Sequence, residues 1–168
     1  MTVKELMTGK TPNPDFEGFV TNDDWVLAVD IGETPAESEG DYVVAQMGVA
    51  GLDAQMNPIT QDKQYIRAGQ SSTKTGTQRT FKVTGDRYVG DAFQDYCFSH
   101  KVKYGVGEAV SVDYIYFNIL NGQGEKGRAS IIVNSDGGGN SGENAAVDID
   151  VKKTGALPEE YTYTPAGA

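Results

Sequence analysis

Apolar and polar residues alternate along this chain in short runs, and glycine separates the runs. Trp25 to Ile31 (WVLAVDI) puts Trp25, Leu27, Val29 and Ile31 on one face, the period-two spacing of a half-buried strand. Tyr42 to Met47 predicts a second strand, buried on both faces. Thr77 to Thr84 predicts a third, closed by a turn at Gly85-Asp86. The period then changes. Phe93, Tyr96, Cys97 and His100 fall on one face at helical spacing, and Asp91 with Gln94 three residues on has the form of a capping box. A helix over 91–100 follows, ending before Gly105 and Gly107. Glu108 to Leu120 is the longest predicted strand, bulky on both faces at Tyr114, Ile115, Tyr116 and Phe117. Asn121 to Gly127 (NGQGEKG) reads as a hairpin tip, with residues 129–134 returning as the antiparallel partner. Residues 135–144 form a flexible loop. Ala146 to Lys152 alternates again, with Val147, Ile149 and Val151 inward and Asp148 and Asp150 outward.

Three stretches lack this regularity. Residues 1–24 read as an arm, because Thr11-Pro12-Asn13-Pro14 blocks both helix and sheet. Gly32 to Gly40 is an acidic loop containing Pro35. Residues 48–76 are rich in Gly, Gln, Ser and Thr, with weak strand signals at Asn57–Thr60 and Lys63–Ala68. They predict a long hairpin or extended loop. Connections longer than about 12–15 residues are uncommon in compact domains, and they tend to be functional or disordered. The division is an arm over 1–24, a β domain over 25–154 and a tail over 155–168, with an edge strand at Tyr161–Tyr163. The expected fold class is mainly β, a sandwich or rolled barrel with one flanking helix.

Composition narrows the chemistry. The 168 residues suit one domain and bury a core without staples. A formal net charge of −10 repels phosphate backbones, which argues against reading nucleic-acid sequence. The same charge serves solubility, or a wall that DNA slides past. Cys97 is the single cysteine, so no internal disulfide forms, in keeping with a reducing compartment. Met1-Thr2-Val3 opens no secretory signal, and no run approaches the roughly 20 apolar residues of a membrane helix. A protein that is cytosolic when made, or part of something assembled there, is the expectation.

Few residues invite catalysis. His100, the single histidine, stands at the end of the predicted helix with no G-x-S-x-G nearby. Cys97 on the inner helix face reads as a small core hydrophobe. Asp136-Gly137-Gly138-Gly139-Asn140 lacks the ligand spacing of a calcium loop, and the glycines after Asn121 lack the Lys-Ser/Thr of a phosphate cradle. Asp148 and Asp150 share one strand face, whereas acid–base pairs usually come from different elements. No catalytic residue, cofactor or metal is expected.

Taken together, the YIRAGQSSTKTGTQRTFKVTGD run, the VTGDRYVGDAFQDYCF helix, the YIYFNIL strand and the closing AVDIDVKK strand resemble the tail tube, or major tail, proteins of long-tailed bacteriophages. The resemblance spans roughly residues 42–152. It is nearest to siphophages and prophages of Gram-positive hosts, with related tubes in contractile tails and type VI secretion systems. It implies a structural virion protein whose hexameric rings stack into a hollow tube, the conduit for DNA ejection. It also implies a tape-measure protein, a tail terminator and baseplate proteins as partners. On that reading the lumen candidates are Asp148 and Asp150, then Asp30, Asp41 and Glu108. The subunit-interface candidates are Trp25, Ile59, Tyr65, Tyr114 and Tyr116, each of which suits a core equally. Two alternatives stand beside it: another tail ring protein, such as a terminator or baseplate component, and a β-sandwich module binding carbohydrate or protein.

Overall fold

The computed structural model describes residues 1–32 and 36–165. Pro35 of the acidic loop and the last three residues of the tail lie outside the described residues. Nine strands run through the rest: β1 (Trp25–Val29), β2 (Val43–Val44), β3 (Val49–Gln55), β4 (Pro58–Tyr65), β5 (Gly69–Thr77), β6 (Thr80–Asp86), β7 (Ser111–Asn118), β8 (Gln123–Ser135) and β9 (Ala146–Thr162). Three short helices join them: α1 (Val3–Leu6), α2 (Ala92–Cys97) and α3 (His100–Tyr104). Seven strands form one antiparallel sheet in the order β2-β1-β7-β8-β9-β6-β3, while β4 and β5 pair only with each other. The molecule is mainly β, and the large sheet curls into a half-barrel.

The curl is visible in the aromatic contacts. Phe81 on β6 lies 4.8 Å from the ring of Tyr116 on β7, although β8 and β9 separate those strands in the sheet. The two ends of the sheet also approach each other, since Asn22 Nδ2 just before β1 donates to the Leu52 carbonyl on β3 at 3.1 Å. The inner face gathers Leu27, Val29, Tyr114, Ile131, Ile149 and Phe81. Phe93 and Cys97 of α2 and Val102 of α3 close it.

The expected alternation of Trp25, Leu27, Val29 and Ile31 points to this inner face, yet the strand is not half-buried. Val26 and Ala28 are equally enclosed on the opposite face, at 4% and 0% exposure. They pack with Ile115, Phe117, Val3 and Met7 in a second cluster. Residues 1–7 of the expected arm therefore lie on the sheet. Thr2 caps α1 and forms a box with Glu5, and Val3 and Met7 bury its lower side. The same segment covers the outer side of β2, through a Thr2–Val43 bridge and a Val44 N–H bond to the Met1 carbonyl.

Four further expectations shift. The helix over 91–100 is two helices: Ser99 Oγ donates to the Tyr96 carbonyl and ends the first turn set, so His100 starts α3 instead of closing α2. The second strand shrinks to two residues. The hairpin tip after β7 is shorter than NGQGEKG, because pairing resumes at Phe117 with Gly124. A Cβ on Gly124 would stand 2.0 Å from the Tyr116 carbonyl oxygen, so this glycine serves a close strand approach rather than a turn. The longest strand is β9, not the strand after Glu108. It pairs with β8 as far as Thr162, deep into the stretch expected as a tail, with a bulge opposite Gly127.

Candidate assembly surfaces

Alternation along β9 sends Val147, Ile149 and Val151 inward and Asp148 and Asp150 to the open face. Register sets Lys82 of β6 opposite Asp150. Its ammonium reaches both Asp148 oxygens at 2.9 and 3.0 Å and Asp150 Oδ1 at 3.7 Å. Asn134 Nδ2 adds a bond to Asp148 at 3.3 Å. The Lys82 hydrogen bond holds the Asp148 carboxyl below its ordinary range, and the same bond raises the lysine. The acidic stripe is therefore partly neutralised where it stands.

The other acidic candidates do not join it. Asp30 spends both carboxylate oxygens on its own loop, accepting from Gly32 N–H at 3.0 Å and Ala36 N–H at 2.9 Å. Asp41 accepts from Ser38. Glu108 bonds Arg128 at 2.7 Å, and Arg128 reaches Asp113 at 3.1 Å with its other nitrogen. Asp30 and Glu108 line one polar cleft with Lys101 and Arg128. Asp148 and Asp150 alone share a sheet face.

The interface candidates divide as sharply. Tyr114 is 1% exposed and Tyr116 6%, and Trp25 stacks on Tyr116 with ring centroids 4.8 Å apart. Tyr114 and Tyr116 belong to the core of the single chain, and Trp25 packs against it. Ile59 and Tyr65 are more than half exposed. Both belong to the β4–β5 hairpin, where every residue of β4 faces solvent.

The root of that hairpin is fixed. Gln78 N–H donates to the Asn57 carbonyl at 3.2 Å. Beside it Arg79, 8% exposed, donates Nε–H to Glu125 Oε1 at 2.9 Å and lies over the rings of Phe81 and Tyr116. Tyr114 donates its hydroxyl to the same glutamate oxygen at 3.0 Å. Burial and the adjacent Glu125 push the Tyr114 hydroxyl well above its usual range, so it remains a donor. Composition and period do not reveal this triad, because Tyr114 and Glu125 lie 35 and 46 positions after Arg79 and meet it only in the folded sheet. Gln94 is a second group missed by pattern. Its buried amide donates to the carbonyls of Met47 and Asp86 and accepts from Tyr88 N–H, tying α2 to the ends of β6 and the β2–β3 turn.

The edges of the large sheet are unequal. At one end β2 is covered by residues 1–3. At the other, β3 has β6 on one side only. The Leu52 carbonyl points outward to Asn22, so by strand alternation Ala54 also directs its peptide groups to the open side. An uncovered edge of this kind is a template for another chain. Chemistry is sparse by comparison. His100 is exposed at the start of α3, Cys97 is enclosed with its thiol pushed up by burial, and the described residues hold no cluster of three or more metal-ligating His, Cys, Asp or Glu side chains.

No sequence family matches the chain, and no curated protein matches it. Solved structures do match. A chain from the tail of an empty GTA particle, refined helically with C6 symmetry, superposes with a TM-score of 0.55 at 15% identity, over 87% of this chain and all of that one. A chain from the virion of a native gene transfer agent (GTA) particle gives 0.53 at 13% identity, with the same coverage. The class this defines is a mainly β fold shared with chains of gene transfer agent particles. More narrowly, the fold is similar to that of a chain in the tail of an empty GTA particle.

Proposed function

We propose that this chain is the structural subunit of a phage-type tail tube. Copies associate through their sheet edges into hexameric rings, the rings stack, and the hollow stack conducts DNA during ejection. The observation that carries the reading is the inequality of the two sheet edges. The N-terminal segment covers β2, whereas β3 has a strand neighbour, β6, on one side only. A contact between an open edge and some different surface of the next copy is heterologous, and heterologous contacts close into rings or continue as filaments. The C6 symmetry of the similar GTA tail supports six copies per ring.

On this reading the protein is not an enzyme, and its place is the virion tail after assembly in the host cytoplasm. The open face bearing Asp148 and Asp150 lines the bore, and Lys82 tempers its charge, so the wall repels phosphate without a large unpaired field. A tape-measure protein sets length, and terminator and baseplate proteins close the ends. The tail of a siphophage or prophage of a Gram-positive host is the setting that the sequence resemblance favours.

Negative-stain microscopy of the purified chain, alone and primed with tape-measure protein, is the test. Stacked rings with a central bore are expected. Single closed rings that never stack would instead make it a terminator or baseplate component. Monomers under every condition would end the tube reading.

A further inference from the structure

We propose that Met56 is a modification site: hydrogen peroxide converts its thioether to the sulfoxide, and the enclosed Arg79 guanidinium binds the oxygen so gained. Oxidation then ties the turn between β3 and β4 more firmly to the large sheet. The device lies within a single chain and needs no second copy.

The chain has four methionines. Met7 is 3% exposed and closed to oxidant, whereas Met1, Met47 and Met56 are each about half exposed. Exposure does not choose among those three, but surroundings do. Arg79 Nη1 donates to the Met56 sulfur at 3.0 Å, and among the described residues no other methionine sulfur has a side-chain donor. The guanidinium is held in place. Glu125 Oε1 accepts from its Nε, and the rings of Phe81 and Tyr116 lie against its face. A thioether is a weak acceptor, so Nη1 is poorly satisfied by it. Met56 itself stands in a built turn. β3 ends at Gln55, β4 begins at Pro58, and Asn57 between them has φ at 44° and takes the Gln78 N–H on its carbonyl. A stronger bond at Met56 therefore acts on the root of the β4–β5 ribbon.

In the oxidation a sulfur lone pair attacks one oxygen of hydrogen peroxide. The S–O bond forms as the O–O bond breaks. The proton on the transferred oxygen passes to the departing hydroxide, which leaves as water. Sulfur loses two electrons, and the peroxide gains them. Arg79 engages one of the two sulfur lone pairs, so the other remains for the attack. The product replaces an apolar group by a polar, accepting one. Rotation about the unbranched side chain brings its oxygen to Nη1. The bond formed there has an ionised donor and an acceptor better than sulfur, and charge-assisted bonds are the strong ones. Met56 is half exposed, so the added oxygen displaces no core atom.

The test treats the full chain with dilute hydrogen peroxide, and peptide mapping by mass spectrometry reads which methionines have gained one oxygen. Hydrogen exchange then follows peptides covering 54–58 and 77–79. Oxidised wild type is expected to exchange there about threefold more slowly than the untreated chain, or slower still, the effect of one hydrogen bond of ordinary net strength. Met47→Leu, oxidised in the same way, keeps the slowing, and Met56→Leu loses it. Leucine retains the apolar bulk at a half-exposed position, so Met56→Leu folds as wild type does. Unchanged or faster exchange at the root of the oxidised wild type would overturn the proposal. So would slowing that persists in oxidised Met56→Leu, slowing that is lost in oxidised Met47→Leu, or a Met56 that stays unoxidised while Met1 and Met47 convert.

Discussion

Lys82 stands between two carboxylates on the open face, and its effect is measurable one proton at a time. Asp148 titrates below its ordinary range chiefly because the Lys82 ammonium bonds both its oxygens. A carboxyl depressed in the folded state adds stability at pH above its unfolded pKa, and that stability disappears as pH falls through the folded pKa. Lys82→Gln removes the charge and keeps the length of most of the side chain. The expected outcome in a carboxyl-detected NMR titration is a rise of the Asp148 midpoint toward the ordinary value. The variant's loss of stability should be present at neutral pH and fade in the acid range as Asp148 protonates. An unmoved Asp148 midpoint would show that the lysine does not hold it. The period of AVDIDVKK places both carboxylates outward, and the structure agrees on the direction. Their partner was hidden, because Lys82 lies 66 positions away and meets Asp148 through strand register alone. Tyr114 and Tyr116 show the reverse limit: bulk on both sides of a strand is visible in sequence, but which side meets a core depends on what lands on it.

At the scale of elements, what was legible depended on length. Asp91 caps α2 by accepting from Gln94 N–H at 3.0 Å, as the D-x-x-Q spacing predicts. The break at Ser99 was not legible, because a hydroxyl folding back on the Tyr96 carbonyl leaves no mark on the hydrophobic period. The sequence of residues 48–76 predicts a hairpin or extended loop, and the segment holds two different things: β3, which joins the large sheet, and the separate β4–β5 ribbon. Their Gly- and Thr-rich composition conceals the difference, since β3 is paired on one side only. The opening TVKELM did carry a signal, with Thr2 and Glu5 at capping-box spacing and Val3, Leu6 and Met7 on one side of a turn. One helical turn is too short for periodicity to register. Its weight is structural: Val3 is 0% and Met7 3% exposed against the outer face of β1 and β7. The double truncation Val3→Ala with Met7→Ala is expected to cost about 3 kcal/mol or more by large-to-small core arithmetic. At this chain length that lowers Tm by roughly 6–12 °C, read by calorimetry. A shift under about 2 °C would mean that α1 detaches at no cost.

Across the whole molecule, stability and reactivity toward other copies lie in different places. The strands β7, β8 and β9 lie between neighbours, and Phe117, Ile131 and Ile149 are essentially enclosed there. The β4–β5 ribbon shares no core with them, and it is anchored at its root by the Gln78–Asn57 bond and the Arg79–Glu125 pair. Local opening should therefore cost little in the ribbon and approach the global unfolding free energy in the central strands. Hydrogen exchange of the soluble monomer followed by mass spectrometry is expected to show amides of 58–77 exchanging with little protection, and those of 111–118 and 146–151 protected to near the global limit. The β3 amides should divide by alternation, with those bonded to β6 protected and those on the open side exchanging as exposed groups. On assembly, protection is expected to rise on the open side of β3, because pairing with another copy covers it. An open side of β3 that continues to exchange in the assembled particle would count against pairing through that edge. An edge left uncovered in the assembled particle would also remove the reason for the particle to form through this sheet.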